Sequence, residues 1–205
     1  MVRLEKYRLL YLAGGALFLV VAAVGGAWWE LIVGSVSSPV VYLGFSPFEL
    51  RAELLGSQLI APSPFMNALF LSARLLAIFG SATIIAGSLL RGRAWSRRLL
   101  NLRPFTMPVG FGVLVLLGAA ALASIFQPMV AEVAPDLREA LMPYMSRYLT
   151  LNLYPLTRTE SVVKVSVTSQ FTIWYWLALL SGALCLAGLL TRRKEEKTSA
   201  TLERG

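Results

Sequence analysis

Four apolar blocks, separated by charged or turn-rich segments, set the pattern of a polytopic membrane protein. The first, Leu9 to Trp29, is uncharged throughout. At roughly 1.5 Å per residue it forms about 31 Å of helix, enough to span a bilayer. A basic segment precedes it, so a cleaved signal peptide is the rival reading. The uninterrupted length and the bulky Trp28-Trp29-Glu30 that follow favour a retained helix. Ser63-Pro64, a cap residue followed by proline in the first turn, opens a second helix that runs to about Leu90. A third runs from about Phe105 to Met129, with Pro108 tolerated near its start. A fourth covers Phe171 to Leu190.

The segments between helices one and two and between three and four carry structure of their own. In residues 30–63, Val36 to Phe45 is β-prone, with Pro39 marking an edge strand or a break. Ser46-Pro47-Phe48-Glu49 reads as a capping box, and Gly56 as the residue past a helix end, which predicts a short helix over Pro47 to Leu55. In residues 130–170, Leu137, Leu141, Tyr144, Met145 and Tyr148 share one helical face, with Pro143 kinking that helix or starting a second short one. Ser161 to Ser169 then alternates, with Val163, Val165 and Val167 on one side and Lys164, Ser166 and Thr168 on the other. That is a half-buried strand. A lone strand does not persist in water, so its expected partner is the strand-prone part of the first segment.

The predicted fold class is an all-α transmembrane four-helix bundle with a small extracellular cap containing β-strands and short amphipathic helices. It forms a single integral membrane domain over 1–205, with spans at about 9–29, 64–90, 105–129 and 171–190. The outer segments are 30–63 and 130–170, the cytoplasmic link is 91–103, and a charged tail at 191–205 is expected to be disordered.

Charge fixes the expected orientation. The net charge is +8. Arg3, Lys6 and Arg8 precede helix one; Arg91, Arg93, Arg97, Arg98 and Arg103 lie in the link; Arg192, Arg193, Lys194, Lys197 and Arg204 follow helix four. The two outer segments hold only Arg51, Arg138, Arg147, Arg158 and Lys164. Positive loops stay inside, which puts both termini in the cytoplasm of a multi-pass plasma-membrane protein. The same basic segments are expected to meet anionic lipid. None is interleaved with aromatics in a nucleic-acid-binding module, so no nucleic-acid partner is expected.

The chain has no histidine, and its one cysteine is Cys185. That excludes Ser-His-Asp catalysis, histidine-ligated haem and an intramolecular disulfide. No catalytic, cofactor-binding or metal-binding set is expected. Arg74 is the one charge inside an apolar run, with Glu30 or Glu132 as candidate partners. Glu132, Asp136 and Glu139 fall on one helical face, a candidate acidic site for a cation or for acid–base work. Trp28 and Trp29, and Trp174 and Trp176, sit where an interfacial aromatic belt belongs.

These features favour a non-enzymatic membrane protein that works through protein–protein contacts or self-association, as an accessory or scaffold subunit or an adhesion-type protein. The alternatives are a transporter or channel subunit using Arg74, and a lipid-modifying enzyme using the acidic face. The layout is similar to that of claudin-like four-helix proteins: a strand-containing first outer segment ending in a short helix, and a strand before helix four. The chain departs from them in lacking the Trp-Gly-Leu-Trp and paired-cysteine signature. The similarity is therefore one of layout.

Overall fold

The computed structural model describes residues 5–35, 37–58, 63–90, 106–131, 145–152 and 162–202. Helix α1 spans Lys6–Val24, α2 Pro64–Leu89, α3 Thr106–Ala131 and α4 Ile173–Leu202. Three of them, α1, α2 and the Ile173–Glu195 part of α4, are long and apolar enough to cross a membrane. The α2 start follows its sequence signal: Ser63 Oγ accepts from the Met66 amide at 3.3 Å. The chain divides into two compact units.

The first unit holds α1, α2 from Leu71, α3 to Gly112 and α4 from Trp176. Small residues let its helices approach closely. A Cβ on Gly14 would stand 2.6 Å from Cys185 Sγ and 3.0 Å from the Ser181 carbonyl, while one on Gly15 would stand 2.9 Å from Ile84 Cγ2. One turn of α1 therefore faces α4 and α2 at once. Ser181 Oγ donates to the Gly14 carbonyl at 2.8 Å, and the buried Ser81 and Ser88 hydroxyls bond one turn back along α2. Arg8, only 6% exposed, closes the unit at one end. Its Nη1 donates to the Gly87 and Ser88 carbonyls at 3.3 and 3.4 Å, and its Nε to Glu5 at 2.8 Å. These are terminal carbonyls of α2, where a cation is favoured.

The second unit, residues 26–70 and 113–175, is built on an antiparallel sheet. Its strands are β1 (Trp29–Ser35), β2 (Ser38–Ser46), β3 (Glu49–Leu54), β4 (Ser57–Gln58), β5 (Met145–Asn152) and β6 (Val162–Phe171), in the order β4-β3-β2-β1-β6-β5. Four strands come from the first interhelix segment and two from the second. They join at β1 and β6, in register from Trp29 opposite Phe171 to Val33 opposite Val167. Alternation gives the sheet an apolar face carrying Trp29, Leu31, Leu43, Phe45, Ala52 and Val167. Phe45 packs on α3 so closely that a Cβ on Gly118 would lie 2.3 Å from its ring. Trp29 Nε1 donates to Ser169 Oγ at 3.0 Å, tying β1 to β6 under cover.

Several local expectations give way to this sheet. Helix one ends at Val24, where Gly25 caps it, and Trp28 and Trp29 leave it for the second unit. The strand that meets β6 is β1, while the β-prone stretch after Val36 becomes β2 behind it. Pro39 lies opposite Gly34 at the bulge after Val33, ahead of the point where β3 pairing begins at Val41, so its missing N–H breaks no ladder there. No helix forms over Pro47–Leu55. Ser46 Oγ accepts from the Phe48 and Glu49 amides at 3.2 and 3.0 Å, as an N-cap would, but the chain continues as β3. Gly56 (φ +77°) supplies its left-handed geometry to the two-residue β3–β4 turn instead of to a helix end. Met145 and Tyr148, expected on an amphipathic helix, lie in β5; the rest of that face is outside the described residues. Helix α4 starts at Ile173, and it continues through the charged tail to Leu202, carried by Lys, Glu, Ala and Leu, all good helix formers. Of the claudin-like layout, the strands in the first segment and before α4 are present, and the short helix is a strand.

Candidate functional site

The side of the sheet opposite its apolar face carries Glu30, Tyr42, Arg51, Glu53 and Gln170. Strand register brings them together: Gly44 of β2 lies between Glu30 of β1 and Arg51 of β3. The Tyr42 side chain lies along its own strand over Gly44, its hydroxyl 2.8 Å from where a Cβ would stand. Any side chain at position 44 would displace it. Burial, then the neighbouring Glu30 carboxylate, pushes the Tyr42 hydroxyl above the ordinary tyrosine range, and Arg51 partly opposes them. Glu30 accepts from Gln170 Nε2 at 2.6 Å across β1 and β6, and Arg51 reaches Glu49 at 3.4 Å. The face is thus a set of exposed or half-exposed polar groups held by a rigid sheet, suited to binding.

The sequence candidates fall as follows. Arg74 is half-buried on α2, in the first unit, and Glu30 is on β1, in the second. Glu132, Asp136 and Glu139 lie outside the described residues. Trp28 and Trp29 are 0% and 1% exposed, so protein covers them; Trp28 packs edge-on against Phe48 at 5.8 Å. Of the four tryptophans expected at an interface, Trp174 is half-buried and Trp176 exposed. Among the described residues no three His, Cys, Asp or Glu side chains converge on a metal-sized site.

Sequence reasoning passed over Tyr42, Arg51, Glu53 and Gln170. The signal for two of them was present: Leu50-Arg51-Ala52-Glu53-Leu54 alternates with period two, as a half-buried strand does. The capping signals on either side of it pointed to a helix. No protein-family model matches the chain, and no curated protein is significantly similar to it.

Proposed function

We propose that the chain is a four-span plasma-membrane protein with both termini in the cytoplasm. On this reading its outer sheet docks proteins, as in an accessory or scaffold subunit or an adhesion-type protein, and it carries out no chemistry of its own. The observation that carries the reading is the joining of the two interhelix segments in one six-stranded sheet with a buried apolar face and an accessible polar one. The helix surfaces support the membrane part: Phe65, Leu69, Leu76 and Phe79 on α2 and Leu117 on α3 are exposed, where a water-facing helix would be polar. Orientation rests on the split of basic residues between the segments.

The test combines labelling and cross-linking in intact cells, in a Cys185→Ala background. Ser57→Cys reacts with an impermeant thiol reagent and Ser96→Cys does not; the reverse pattern overturns the orientation. A photoreactive residue at Leu55 or Gln170 gives discrete protein adducts, whereas one at Leu76 on α2 gives lipid adducts. Absence of protein adducts from both sheet positions overturns the docking reading.

A further inference from the structure

Tyr11 of α1 is 0% exposed, and its hydroxyl is buried without a hydrogen-bond partner. Buried polar groups are nearly always paired, so one left alone calls for a partner from outside the chain. The ring is held by its neighbours. It packs edge-on to Tyr7 at 6.4 Å, clusters with Ile84 and Cys185, and stands 3.3 Å from where a Cβ on Gly188 would be. Here α1 and α4 run antiparallel, since Gly14 meets Ser181 and Cys185 while Tyr7 and Tyr11 meet Gly188. In a helix the Cα–Cβ bonds tilt towards the start of that helix. Tyr11 therefore leans towards the beginning of α1, and Arg192, one turn past Gly188, leans back towards Tyr11. Both Arg192 and Arg193 act electrostatically on the Tyr11 hydroxyl, yet no hydrogen bond joins either to it.

The charges at this end select an anion. Arg8 and Glu5 are committed to each other, and Arg8 to the carbonyls ending α2. Of the other charges in residues 5–8 and 192–197, Lys6, Arg192, Arg193, Lys194 and Lys197 are basic, and only Glu195 and Glu196 are acidic. The net field is positive. A guanidinium only donates and a tyrosine hydroxyl can donate, so an oxyanion accepting from both satisfies the pair. The helix surface at the same level is apolar: Leu9 on α1 and Leu186 and Leu190 on α4 are exposed. An acyl chain gains from covering those leucines, and a small soluble anion does not.

We propose that this end of the first unit binds one anionic phospholipid. Its phosphate accepts from the Tyr11 hydroxyl and the Arg192 guanidinium, and its acyl chains run along Leu9, Leu186 and Leu190. The proposal rests on the reading of the chain as a membrane protein. It goes beyond a general attraction of basic segments to anionic lipid by assigning one site. Because the hydroxyl is covered, the phosphate enters by displacing the long, flexible Arg192 side chain, which then closes over it.

The experiment places the full chain in phosphatidylcholine nanodiscs with increasing phosphatidylglycerol and reads affinity from the rise in melting temperature. Tyr11→Phe removes a hydroxyl that bonds to nothing in the protein, so in phosphatidylcholine alone it melts no lower than the parent. Its affinity for phosphatidylglycerol falls about tenfold, the loss of one charge-assisted hydrogen bond. Arg192→Gln does at least as much. Lys194→Gln, the same change of charge two residues on, does far less. Full affinity in Tyr11→Phe, or equal losses in Arg192→Gln and Lys194→Gln, means diffuse attraction and overturns the proposal. So does a lower melting temperature of Tyr11→Phe in phosphatidylcholine, because the hydroxyl then serves the fold. An equal rise with inorganic phosphate in place of phosphatidylglycerol gives the site to a soluble anion and overturns the lipid assignment. Lipid adducts at Leu76 without any rise from phosphatidylglycerol leave the membrane reading standing and remove this one; no lipid adducts at Leu76 removes both.

Discussion

Gly118→Ala tests how the sheet is seated on α3. The new Cβ would stand 2.3 Å from Phe45 Cε1 and 2.6 Å from Cζ. Non-bonded carbons settle at about 3.5–4.0 Å, so the ring must move by more than an ångström. It has little freedom to do so, because Phe45 lies in the sheet between Trp29 on β1 and Leu50 on β3. Overpacking of this kind costs about 1–3 kcal/mol. Replacing glycine by alanine in a helix returns up to about 1 kcal/mol. The expected outcome is a net loss of about 1–2 kcal/mol, measured as thermal unfolding of the detergent-solubilised protein by tryptophan fluorescence. Phe45→Leu shortens the obstructing side chain, so Gly118→Ala should cost much less in that background, with a coupling above ~0.5 kcal/mol. If Gly118→Ala is neutral or stabilising, or costs the same in both backgrounds, the sheet does not rest on α3 through this contact.

Two further outcomes follow from single groups. Arg8→Met removes one donor to the Gly87 and Ser88 carbonyls at the α2 end and should cost about 1–2 kcal/mol. Arg8→Lys keeps a cation that can donate to these carbonyls but loses the separate Nε donor to Glu5, so it should recover part of the loss; no recovery over Arg8→Met in a melting assay contradicts the capping role. Tyr42 is favoured in its neutral form when folded, so its contribution is complete below the ordinary tyrosine value near ~10 and is lost as pH rises through the raised value. Tyr42→Phe should therefore flatten the alkaline end of the stability profile. Parallel profiles for the two proteins in pH-dependent melts rule out that role.

The helices were legible because an apolar run completes its own hydrogen bonds within four residues. Ser63-Pro64 marked the start of α2, and the run after it needed no knowledge of the rest of the chain. The strand before α4 was legible too, since period-two alternation over Val163 to Thr168 already says that one side is covered. What covers it was not. Ser46, Pro47 and Glu49 form a local bonding pattern that begins a helix or turns a strand equally well, and a left-handed Gly56 ends the one or links the other. The tie is broken by β2, whose ladder lies open to β3 on the side away from β1. In the same way Trp28 and Trp29 read as the end of an apolar helix until the ladder with Phe45 and Phe171 draws Trp29 into the sheet. A helix is specified by its own residues, whereas a strand is specified by partners distant in sequence. The sequence by itself therefore determined the apolar helices, and only the tertiary structure decided the sheet and its polar face.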